Sequence, residues 1–288
     1  MVQPSTSPLT ATPIIPTTTE PTASAIQETV KDADGTASEN EETTRMNEDV
    51  LGTSQASEVT PILELRDVGY TYSKGGKHVL RNVTHTFNSG KVYAITGPSG
   101  AGKTTLLSLI SGLASPSEGQ VIYEGKDLAK QDRYKYRSHD IGVIFQSFNL
   151  LPSLTVSENI ILSMDASGKH FDSSKKEVAL DLLDRVHLPD EYANERILHL
   201  SGGEQQRVAI ARAFSYDPKI IVADEPTGNL DLATQDDIMG IFRSLAHEQQ
   251  CCVIIVTHSP EIAKASDEIF ELAPLRRATR HQRQVPRK

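Results

Sequence analysis

The sequence predicts an α/β fold. A mostly parallel sheet is flanked by helices, with an antiparallel β subdomain ahead of it and a helical subdomain of about residues 150–215 set within it. Three observations lead there. Short apolar runs (Lys91–Thr96, Ile141–Phe145, Ile220–Ala223, Val253–Val256) alternate with helical patterns, as the strands and crossover helices of a parallel sheet do. Before residue 90, Ile62–Val68 and Val83–Phe87 follow strand patterns, with apolar and polar side chains in alternation. After Thr155 the period changes: Val178, Leu182, Leu183, Val186 and Leu188 recur three and four residues apart.

Taken in order, the chain starts with about 60 residues rich in Thr, Ser, Pro, Ala and Glu, without Phe, Tyr or Trp. Ten acidic residues face two basic ones there (Lys31 and Arg45), which accounts for nearly all of the formal charge of −9. Such a segment buries too little apolar surface to offset its ordering entropy, so residues 1–60 are expected to be disordered. The remainder is near neutral, which argues against bulk nucleic-acid binding. Lys74-Gly75-Gly76-Lys77 reads as a turn, and Asn88-Ser89-Gly90 as a hairpin-like turn into the next strand. Lys130 to Arg137, basic and aromatic, reads as a solvated helix face, with a nucleic-acid patch as the alternative. Ser201 and Asp231 are placed to cap the helices that follow them.

The stretch around which these elements are ordered is Gly97-Pro98-Ser99-Gly100-Ala101-Gly102-Lys103-Thr104. It fits the phosphate-loop pattern G-x-x-x-x-G-K-[ST] between a strand and a helix. Glycines let the backbone curl round a polyphosphate, and the helix start presents N–H groups to its oxygens. Lys103 is expected to reach the β- and γ-phosphates, and the Thr104 hydroxyl to ligate Mg²⁺. Gln146, Asp224 with Glu225, and His258 each follow a strand end, and ligand sites of parallel sheets lie beyond those ends. Asp224 suits a Mg²⁺ held through water, and Glu225 a general base for an attacking water. Gln146 is assigned to metal and attacking water, and His258 to the γ-phosphate. Leu200-Ser201-Gly202-Gly203-Glu204-Gln205-Gln206 opens another helix with two glycines after a serine, a second anion site far from the first. Such a site makes sense if it serves the nucleotide of another copy.

With these motifs in this order, the chain resembles the ATP-binding subunit of an ABC transporter from about Ile62 to Leu272, so that 61–273 is expected to be its ATPase domain. The resemblance assigns Gln146 to the Q-loop, Leu200–Gln206 to the signature, Ile220–Asp224 to the Walker B strand with catalytic Glu225, Asn229-Leu230-Asp231 to the D-loop and His258 to the switch. It adds Thr105 and Asp231 to the nucleotide site and places Tyr72, with Tyr70 as alternative, against adenine. It implies a head-to-tail dimer with two ATP molecules between the subunits, Ser201, Gly202 and Gly203 of one completing the site of the other. Residues 142–152 and 223–231 resemble the branch of macrolide exporters, lipoprotein-release and antimicrobial-peptide transporters, which also includes a cell-division ATPase. The expected function is an ATPase that powers a separate integral membrane permease, an exporter of peptide, drug or lipid-linked cargo. The alternative is a non-transport ATPase of the same family acting on a membrane partner. Phe148, Leu150 and Leu151 fit either a permease-facing surface or core packing.

The N-terminus carries no secretory pattern, and no uncharged apolar run nears the ~18 residues of a membrane span. The expected location is the cytoplasmic face of the membrane, peripheral through the permease. Cys251 and Cys252, adjacent within a buried strand pattern, predict neither a disulfide nor a metal site. Residues 274–288 form a basic tail outside the family pattern, read as a disordered end or as a contact for anionic lipid headgroups.

Overall fold

The computed structural model describes residues 60–72, 76–228 and 230–275. The acidic extension (all but residue 60), the turn residues 73–75, Asn229 and the basic tail from residue 276 lie outside the described residues. In chain order the elements are β1 (Leu63–Thr71), β2 (His78–Phe87), β3 (Val92–Thr96), α1 (Lys103–Ile110), β4 (Glu118–Tyr123), β5 (Lys126–Asp127) and the one-turn α2 (Arg133–Lys135). There follow β6 (Ile141–Ile144), α3 (Val156–Ser167), α4 (Lys175–Arg185), α5 (Gly202–Phe214), β7 (Ile220–Asp224), α6 (Leu232–His247), β8 (Cys252–Val256), α7 (Pro260–Ala265) and β9 (Glu268–Glu271).

Two sheets result. The antiparallel one runs β2-β1-β4-β5, and the other runs β6-β7-β8-β3-β9 with every pairing parallel. The apolar runs of the sequence follow from burial on both faces of the parallel sheet. Along β7, Ile221 and Ala223 join a core with α3 to α6, while Ile220 and Val222 join a second core with α1 and the antiparallel sheet. Successive strand side chains point to opposite faces, so β3, β6, β7 and β8 each serve both cores, while β9 at the edge reaches only the second.

The helical stretch starts where capping chemistry places it. Thr155 with Glu158 and Ser174 with Glu177 form reciprocal capping boxes at the starts of α3 and α4. α3 packs on α5, and Gly142 lets α5 approach β6: a Cβ there would lie 2.4 Å from the carbonyl oxygen of Ala213. Cys251 and Cys252 are buried free thiols, and burial pushes Cys251 up to about 12 and Cys252 well above its ordinary value.

Two expectations are corrected. Asn88-Ser89-Gly90 does not close a hairpin, because β2 and β3 belong to different sheets; the turn carries the chain from one layer to the other. The stretch from Lys130 to Arg137 is not one solvated helix face. It breaks into short turns, and Tyr136 is buried against α1, its hydroxyl donating to the Ile110 carbonyl at 2.9 Å. Arg137 also turns inward, to the Gly112 carbonyl, while the exposed Arg133 donates to Ser115 Oγ. Of the three apolar residues after Gln146, Leu150 is buried, Phe148 packs partly against the core and Leu151 is exposed.

Candidate functional site

The carboxyl ends of β3, β6, β7 and β8 meet at an open cleft of about 580 Å³. Its walls are Val79, Gly97, Pro98, Ser99, Gly100, Gly102, Lys103, Thr104, Thr105, Gln146, Asp224, Glu225 and His258. The loop between β3 and α1 owes its shape to positive φ angles at Gly100 (78°) and Gly102 (100°), a backbone region that L side chains rarely adopt. A Cβ at Gly102 would meet Leu80 Cδ2 at 2.7 Å and the Val79 carbonyl at 3.0 Å, whereas one at Gly100 would enter open space. Gly102 also precedes α1 without supplying a side-chain cap. All the other described α-helices have one, from Asp132, Thr155, Ser174, Ser201, Asp231 and Ser259. The first N–H groups of α1 are thus left for a ligand, and the helix dipole favours an anion there. Lys103 lies in the same cleft with its ammonium donating to the carbonyls of Gly97 (2.7 Å) and Pro98 (3.4 Å).

Opposite the loop stand the carboxylates. The Thr104 hydroxyl faces Asp224 Oδ2 at 3.4 Å. Burial, and next the negative charge of Glu225, raise the Asp224 carboxyl above its ordinary value; Thr104 and Lys103 act in the other direction. A hydroxyl and a half-buried carboxylate are hard oxygen donors, and a cation between them would relieve the repulsion that raises Asp224. The donor set therefore fits Mg²⁺, with the Gln146 amide in the same cleft.

Glu225 sits just past β7 with φ of 48°, unusual for a residue with a side chain, and its N–H donates to the Val256 carbonyl at 2.9 Å. Its carboxylate is held from the β8 side. His258 Nδ1 lies 2.8 Å from Oε1, and the His258 N–H and Thr257 hydroxyl donate to Oε2 at 3.3 and 3.4 Å. Thr257 and Val79 were not singled out in the sequence. Thr257 is flagged by its place between the end of β8 and His258; Val79, a β2 residue, carries no sequence signal for the cleft.

The remaining candidates lie elsewhere. Ala101 is buried beneath the loop. Tyr72 does not line the cleft but stands beside it, the residue 73% exposed and its hydroxyl 3.1 Å from Thr105 Oγ1. Tyr70 packs edge-on against it at 5.2 Å. Ser201, Gly202, Gly203 and Asp231 form a second group, where the starts of α5 and α6 come together: a Cβ on Gly203 would lie 2.8 Å from Thr234 Cγ2. Asp231 accepts from the Thr234 N–H and hydroxyl, which lowers its carboxyl. Ser201 accepts from the Glu204 N–H, and its own N–H and hydroxyl donate to the Glu204 carboxylate.

Known proteins share this arrangement. A family model described as "ABC transporter" matches residues 80–228. An uncharacterized ABC transporter ATP-binding protein, YclH of Bacillus subtilis, is 43% identical over 206 residues, 72% of this chain and 91% of that protein. The macrolide export ATP-binding/permease protein MacB of Syntrophobacter fumaroxidans is 39% identical over 73% of this chain but only 30% of its own length. Among solved structures, the dimeric ABC transporter cassette MJ0796, from Methanocaldococcus jannaschii, superposes with a TM-score of 0.67 at 38% identity, covering 73% of this chain and 94% of that one. A post-hydrolysis dimer of the same cassette with ADP and Pi gives a TM-score of 0.67 at 37% identity, covering 74% and 97%. With a phosphate-loop cleft of this build and these relatives, the chain belongs to the ABC transporter ATP-binding family and is an ATPase.

Proposed function

We propose that this chain binds Mg-ATP in the cleft before α1, closes head to tail on a second copy, and uses the cycle of closure and hydrolysis to drive a separate integral membrane permease. The observation that carries the reading is the uncapped start of α1, facing Lys103, Asp224 and Glu225 across one cleft. In the proposed cycle the N–H groups of the loop and α1 hold the phosphates, and Lys103 leaves its loop carbonyls for the β- and γ-phosphate oxygens. Thr104, Asp224 and Gln146 hold Mg²⁺, which, when bound, neutralises charge on the β- and γ-phosphates. Glu225 takes a proton from the attacking water, while His258 contacts the γ-phosphate. Tyr72 stacks on adenine, and Thr105 completes the wall beneath it. Most of the rate comes from positioning and charge stabilisation.

Ser201, Gly202, Gly203 and Asp231 do not line the cleft of their own chain, and the proposal gives them the partner's nucleotide. The dimeric cassette among the structural relatives supports this. The macrolide export protein among the relatives supports export as the direction, with a peptide, drug or lipid-linked molecule as the proposed cargo. Among the described residues no helix is long and apolar enough to cross a membrane, which suits a subunit held at the cytoplasmic face by its permease. Sizing of Glu225→Gln protein by light scattering tests the core of the proposal. The variant should dimerise with Mg-ATP, remain monomeric without it, and turn over at least ~10²-fold more slowly. Normal turnover would remove Glu225 as the base; a monomer at saturating Mg-ATP would count against the shared site.

A further inference from the structure

Gln146 is bracketed by one helix. On the strand side, β6 lies so close to α5 that only glycine fits at position 142, against Ala213, and the Tyr216 hydroxyl just past α5 donates to the Ile141 carbonyl at 2.8 Å. On the loop side, Arg212 of α5 donates to the carbonyl of Phe148 at 2.7 Å and to that of Asn149 at 2.6 Å. Phe148 and Asn149 both hold left-handed backbone, with φ of 60° and 52°. Neither is glycine, and two such residues in succession are costly without support. The guanidinium is half-buried, and among the described residues it forms no salt bridge. A buried guanidinium without a carboxylate is unfavourable unless its donors are used, and here two point at one strained turn.

We propose that Arg212 is a positioning residue: its fork fixes the Phe148–Asn149 turn, so that α5, whose first residues are Gly202 and Gly203, also sets the place of Gln146 in the cleft. α5 spans 13 residues, roughly 20 Å. A shift at its start, where the proposed partner nucleotide binds, would move Ala213, Arg212 and therefore Gln146 as one body. The inference rests on the role given to Gln146 above.

The test uses the full chain with four variants: Arg212→Met, Arg212→Lys, Gln146→Ala, and Arg212→Met with Gln146→Ala. Arg212→Met should leave the affinity for a fluorescent ATP analogue unchanged while kcat falls about 10- to 100-fold, the size of effect expected when a reacting group is misplaced. Gln146→Ala should lower kcat similarly, and the double variant should be no slower than the slower single. Arg212→Lys keeps the charge without the planar fork and should recover only part of the loss. Amide exchange across 147–151 should quicken in both Arg212 variants while α5 itself keeps its protection. Wild-type kcat in Arg212→Met, or losses that multiply in the double variant, would overturn the proposal. Unchanged exchange at 147–151 would overturn the clamp itself, whatever the turnover. Wild-type kcat in Gln146→Ala alone would instead remove the role given to Gln146.

Discussion

α1 begins just after a glycine and α5 begins at two, and both present a helix start to the surface, yet their first turns are built in opposite ways. α1 starts after Gly102 with no side chain on its N–H groups, and the carboxyl across from it, Asp224, is raised by burial and by Glu225. α5 starts after Ser201 inside a closed capping box, and its carboxyl, Glu204, is lowered chiefly by the Ser201 N–H. One start has no side chain on its N–H groups, and the other has its Glu204 N–H covered by the Ser201 hydroxyl. A helix N-terminus marks a binding site through what is missing around it, and by that measure α1 is the stronger candidate of the two. A ligand at α5 would meet a Ser201 hydroxyl already engaged with Glu204.

The sharpest way to break the contrast is at the glycines of the first start. Gly102→Ala would place a Cβ on Leu80 and the Val79 carbonyl at a positive φ; it should cost about 2–3 kcal/mol, read as a lower Tm, and abolish nucleotide binding. The carboxyls should separate the two starts by the sign of their pH dependence. Asp224 is raised in the folded chain, so its contribution is fullest below the ordinary 3.8 and falls as pH rises through the raised value. Glu204 is lowered, so its contribution is present above the ordinary 4.5 and is lost as pH falls through the lowered value. At neutral pH and without nucleotide, Asp224→Asn should therefore raise Tm while abolishing hydrolysis, and Glu204→Gln should lower Tm. Ser201→Ala removes the cap and should cost about 1 kcal/mol in denaturant unfolding. The smallest effect is expected at Gly202, where a Cβ would meet only Leu230 Cδ2 at 3.7 Å and φ is not positive. Gly202→Ala should stabilise the monomer by roughly 0.5–1 kcal/mol. If it also blocks ATP-driven dimerisation of the Glu225→Gln protein, this glycine serves a neighbour outside its own chain.

Much of the cleft was legible because its parts obey local rules. A glycine-rich loop between strand and helix, and polar residues closing apolar runs, identify Gly97–Thr104, Gln146, Asp224, Glu225 and His258, and the fold brings them to one edge. Pairing across the sheet was not legible. The position of β3 between β8 and β9 depends on partners far along the chain, and the turn chemistry of Asn88-Ser89-Gly90 does not say which sheet comes next. Tyr136 was misread because the turns around it are too short to show a period. Arg212 was invisible for another reason. Its position on α5 is that of an ordinary helix arginine, and its acceptors are backbone carbonyls more than 60 residues earlier.

The two adjacent cysteines of β8 have a practical consequence. Thiol reagents attack the thiolate, and both sulfurs here are shielded from solvent and kept protonated. The native chain should therefore resist maleimide dyes under conditions that modify an exposed cysteine within minutes. A single cysteine placed at an exposed position such as Lys176 on α4 would then carry a fluorophore without prior removal of the natural pair. Energy transfer between copies labelled there would follow their approach and separation in real time.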